Sequence, residues 1–124
     1  MTPQGPTWEY LHIIANPFTV VLTAAGAAVG LVGWATGREE LERWGLLSLL
    51  LGGVMAVPAY VTGLTAADVA ATRTFVRPSL VQTHRVWATW ALVLLLAQGT
   101  FAAFALYQPS EDRLRRFVLL VGLL

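Results

Sequence analysis

Charged side chains leave three long gaps in this chain: Tyr10 to Gly37 (28 residues), Trp44 to Ala67 (24) and Val86 to Ser110 (25) contain no Asp, Glu, Lys or Arg. A helix rising about 1.5 Å per residue needs about 20 apolar residues to cross a hydrocarbon core of about 30 Å, so each gap can span a bilayer. The pattern predicts an all-α integral membrane helical bundle with full transmembrane helices over about residues 10–36, 44–64 and 81–107. A further apolar run, Phe117 to Leu124, follows Arg115 and Arg116; its eight residues cannot span, and it reads as the start of a fourth helix over about 113–124. The connections are too short to fold alone, so residues 1–124 form a single transmembrane domain.

The longest polar stretch is the connection over about 65–79, whose Ala66-Ala67-Asp68-Val69-Ala70-Ala71 start predicts a short surface helix broken before Pro78. Pro58 lies inside the second span, where a missing donor and a ring clash with the preceding turn predict a kink. Aromatic rings mark the same boundaries. Trp8, Tyr10, Tyr60, Trp87 and Trp90 fall near one set of span ends, and Trp34, Trp44 and Tyr107 near the other, as expected of side chains that prefer the headgroup level.

Composition agrees with the pattern: 56% hydrophobic and 12% charged residues, about half the charge of a water-soluble domain. With no cysteine there is no disulfide, thiolate chemistry or Cys-ligated metal, and a net charge of +1 argues against a nucleic-acid partner. Met1 to Glu9 hold no basic residue and the first apolar run is too long for a signal peptide's core, so the first helix is expected to be retained. Arg38 and Arg43 share a side with Arg113, Arg115 and Arg116; the other side holds Arg73, Arg77 and Arg85. The positive-inside rule then places the first connection in the cytoplasm and the N-terminus outside.

Gly26, Gly30, Gly33 and Gly37 make two small-xxx-small ladders in the first span, with Gly52 and Gly53 in the second. In lipid such ladders let backbones approach closely, either between this chain's own helices or against another subunit. The two histidines, His12 and His84, stand at the outer starts of the first and third spans and therefore at nearly one depth. Two imidazoles so placed are what axial ligation of a b-type haem requires, with Arg85 or Arg77 near enough for its propionates. The same rings serve equally as interfacial hydrogen-bonding groups, or at a quinone head or proton relay. Asp68 is placed to pair with Arg73, Arg77 or Arg85. Gln98 and Thr100, mid-way along the third span, are expected to bond between helices. No Ser/His/Asp grouping, phosphate loop, metalloprotease pattern or deep charge in a span points to catalysis or a transport path.

The runs Leu11-His12-Ile13-Ile14-Ala15-Asn16-Pro17-Phe18, Pro58-Ala59-Tyr60-Val61-Thr62-Gly63 and Thr83-His84 resemble a bacterial family of small four-helix membrane proteins of unknown function (domain of unknown function 2231 and relatives). The similarity runs from about Trp8 to Leu106 and implies a four-helix bundle in a bacterial inner membrane. Where the family pattern has a second histidine this chain has Pro17, and where it has a proline this chain has Thr19. Arg85 stands where an acid often follows the histidine of the third helix. This thinned polar cluster implies scaffolding more than cofactor binding. The expectation is a non-enzymatic accessory or structural subunit of a larger membrane complex, respiratory or photosynthetic, without a cofactor and with lipid and other integral membrane subunits as its neighbours. The alternative is a haem b electron carrier using His12 and His84.

Overall fold

The computed structural model describes residues 7–108, which form three helices: α1 (Trp8–Thr36), α2 (Glu39–Ala71) and α3 (Pro78–Tyr107). All three are long and apolar enough to cross a membrane. The expected fourth helix over 113–124 lies outside the described residues.

Each helix boundary has a local cause. Thr7 opens α1 by accepting a hydrogen bond from the Tyr10 N–H on its side-chain oxygen, and Glu9 places an acid in the first turn, where the helix dipole favours it. Gly37 closes α1 in the left-handed region at φ 66°, and the Arg38 N–H donates back to the Gly33 carbonyl at 2.9 Å. Only Gly37 and Arg38 separate the first two helices. Glu39, Glu40 and Glu42 then sit in the first turn of α2, so this charged segment, expected to be a connection, is helix. The far end of α2 is also longer than expected. Residues 65–71 continue the same helix instead of forming a separate surface helix, and the second connection shrinks to 72–77. Pro78 starts α3 at a position where its absent N–H has no helical partner to lose. Pro17 and Pro58 lie inside α1 and α2, which run through them.

α2 is the centre. α1 and α3 each pack along it and barely touch one another. Around the α1–α2 turn the three helices converge on Leu46 and Leu49 with Ala102 and Ala105, and Ala27, Leu50 and Leu106 close over them. α1 reaches α2 through glycine: a Cβ on Gly26 would lie 2.9 Å from the Gly45 carbonyl oxygen and the Leu49 nitrogen, and one on Gly33 would strike the backbone of Leu41 and Glu42. α3 reaches α2 at Gly53 and Gly99, where a Cβ on Gly53 would lie 2.7 Å from the Leu95 carbonyl oxygen. Close backbone approach of this kind drives helix association in lipid, where the hydrophobic effect does not.

Candidate functional site

Away from that core the bundle opens. On the half of α2 away from the α1–α2 turn the residues facing inward are Ala56, Ala59, Gly63 and Ala66, spaced at three to four positions, so no bulky side chain fills the space between α1 and α3. The result is a groove of about 250 Å³ bounded by all three helices. α1 contributes His12, Asn16 and Thr19, α2 contributes Ala56, Ala59 and Tyr60, and α3 contributes His84, Trp87 and the apolar run to Leu95. At its end farther from the α1–α2 turn a smaller cavity of about 20 Å³, lined by His12, Tyr60, Gly63, His84 and Arg85, is large enough for a single water. The two histidines that the sequence places at one depth thus line the same two spaces.

His12 is held in place. Its Nδ1 lies 2.9 Å from the Ala59 carbonyl oxygen on α2. A carbonyl can only accept, so Nδ1 carries the hydrogen and Nε2 is left for another partner. Gly63 makes the approach possible, because a Cβ there would lie 2.8 Å from His12 Cε1. Across the groove Tyr60 and Thr89 join α2 to α3 at 2.9 Å. The Thr89 hydroxyl donates to the Arg85 carbonyl, so Tyr60 is the donor in that pair.

Thr19 is 5% exposed, and its hydroxyl is shut off from water without a hydrogen-bond partner. Thr36, Thr62, Thr65, Thr72, Thr83, Thr89 and Thr100 all donate to a carbonyl three or four residues earlier in their own helix. An orphaned buried hydroxyl costs about 1–3 kcal/mol. Thr23, on the same helix, is also orphaned, but it packs against Gly52 and takes no part in lining the groove. Sequence reasoning missed Thr19 as a site residue; its spacing of i, i+4 and i+7 with His12 and Asn16 was the available signal.

Among the described residues two ion pairs tie the rim away from the α1–α2 turn. Arg85 engages Asp68 and donates to the Leu64 carbonyl, and Arg73 meets Glu9 at 3.4 Å. Among the partners open to Asp68 in the sequence, Arg85 is the one realised. Of the expected glycine contacts, Gly26, Gly33, Gly52 and Gly53 sit where a Cβ would press on a neighbouring helix, and Gly30 lies against Gly45. Gly37 does not belong with them: a Cβ there meets nothing within 4 Å, and its role is to cap α1. Thr100 also departs from expectation, because its hydroxyl bonds within α3 at the Leu96 carbonyl and not across to another helix. Among the described residues no group of three or more His, Cys, Asp or Glu side chains could hold a metal ion. A wider groove, about 600 Å³ between α2 and α3, is lined by apolar residues and Thr100, so it offers packing room with little polar chemistry.

Comparison with family models, with curated proteins and with solved structures returns no match to this chain.

Proposed function

We propose that this protein is a non-enzymatic integral membrane subunit that supports a larger membrane assembly of the respiratory or photosynthetic kind. The observation that carries the reading is the open arrangement of its helices. α1 and α3 lean on α2 and barely touch each other, and only 22% and 17% of their most apolar windows are buried, against 39% for α2. Two of three helices therefore offer long apolar flanks to lipid or to neighbouring helices. The resemblance to four-helix membrane proteins of unknown function accords with the same reading, with a bacterial inner membrane as its setting. Purification in mild detergent through a tag on the full chain tests it: one or more integral membrane chains should co-purify in fixed ratio, and migration as a lone protein overturns the proposal.

A second reading has one observation in its favour. His12 and His84 line one groove, the arrangement a b-type haem between them would use. A tetrapyrrole would require α1 and α3 to spread beyond the present volume of about 250 Å³, which lies under the range of about 300–1,000 Å³ usual for drug-sized ligands. A reduced-minus-oxidised absorbance spectrum of the purified protein tests this reading, and a flat Soret region ends it.

A further inference from the structure

The groove wall on α1 is polar at two heights. His12, Asn16 and Thr19 stand on one face of the helix, and His12 and Thr19 are seven residues apart, about 10 Å along the axis. At the outer height the His12 ring is fixed by its bond to the Ala59 carbonyl and offers Nε2 to the groove's contents. At the inner height the Thr19 hydroxyl is buried without a partner, and Thr19 belongs to the groove lining. Asn16, between them, can both donate and accept. The floor between these heights is small and apolar, Ala56 and Ala59 on α2 facing Ala88 and Ala91 on α3.

We propose that this groove binds a lipid-soluble six-membered ring with a hydroxyl at each end, of the quinol class, one hydroxyl donating to His12 Nε2 and the other bonding to Asn16 and Thr19. One ring with a hydrogen bond at each oxygen covers about 10 Å. The volume of about 250 Å³ suits a single ring better than a fused polycycle. Because α1 and α3 barely touch, the groove opens sideways, so a hydrophobic ligand enters from the bilayer and its tail remains there. An acyl chain or a sterol, polar at one end only, would leave one of the two heights unpaired. Trp87 on the opposite wall supplies an aromatic surface beside the ring. This inference goes beyond the accessory-subunit reading and stands apart from it: one is decided by which chains co-purify, the other by which ring binds.

The test is a titration of the full-length protein, in phosphatidylcholine nanodiscs, with a decyl-tailed hydroquinone kept reduced by dithionite, followed by isothermal titration calorimetry against protein-free nanodiscs. The expected result is saturable binding heat at one site per chain. Thr19→Val, which keeps the shape and removes the hydroxyl, should weaken binding by about tenfold, and His12→Gln by at least as much. Trp44→Phe, at the opposite end of the bundle, should leave the affinity unchanged. If His12→Gln loses its helical circular dichroism, the near-isosteric Thr19→Val variant alone decides. Heat no larger than that of partitioning into protein-free nanodiscs overturns the proposal, as does saturable binding to which Thr19→Val makes no difference.

Discussion

At the scale of single residues, glycine positions that look alike in the sequence differ sharply in what they carry. A Cβ on Gly45 would fall on the Gly30 backbone and lie 2.8 Å from the Gly26 carbonyl oxygen, whereas a Cβ on Gly30 would meet only Gly45 Cα at 3.7 Å, an ordinary contact. Gly45→Ala should force α1 away from α2 and destabilise the fold by about 1–3 kcal/mol. Gly30→Ala should stay within about 0.5 kcal/mol of the parent. Thermal unfolding in detergent compares the two, and equal losses would show that the α1–α2 contact is placed differently. Gly63→Ala is a third case, because the atom in its way belongs to a side chain. The His12 ring should turn aside and lose its bond to the Ala59 carbonyl, at a cost of about 0.5–1.5 kcal/mol. The imidazole nitrogen shifts of His12 in an NMR spectrum read this directly: no change on substitution means the ring does not rest on Gly63.

Among the elements, α2 does the most and was the least completely read. Its uncharged stretch marks the span, but the helix itself runs from Glu39 to Ala71. Charge-free length reports where hydrocarbon must be, not where hydrogen bonding stops. Glu39, Glu40 and Glu42 favour a helix N-terminus electrostatically, and the alanines around Asp68 favour helix by propensity, so both ends continue beyond the apolar run. The span centres, their order and the common depth of His12 and His84 were legible, because each follows from one chain crossing a slab of fixed thickness. The bond from His12 to Ala59 and the orphaned Thr19 were not, because they depend on how α1 and α2 are rotated against each other. The extended end of α2 also places Asp68 beside Arg85 on α3. Both groups are partly exposed, so Asp68→Asn should cost less than about 1 kcal/mol. Salt should shrink that difference, as melting curves at low and high ionic strength can show.

For the molecule as a whole, the consequence with the widest reach is its sidedness. The α1–α2 turn and the open groove lie at opposite ends of the bundle, so the side facing the cytoplasm decides from which face the His12–His84 rim is reached. Arg38 and Arg43 stand at the turn; Arg73, Arg77 and Arg85 stand at the rim, where Arg73 and Arg85 are engaged with Glu9 and Asp68. By sequence order Arg113, Arg115 and Arg116 follow the third span and count with the turn under the positive-inside rule, five Arg against three. Our proposed orientation therefore has the turn in the cytoplasm and the rim outside. The chain has no cysteine, so single introduced thiols report without background. Thr74→Cys, in the connection over 72–77, should react with a membrane-impermeant maleimide in cells whose inner membrane is intact, and Arg38→Cys should react only after that membrane is permeabilised. The opposite pattern reverses the orientation and puts the groove mouth at the cytoplasmic face; labelling of both sites before permeabilisation contradicts an odd number of crossings between them.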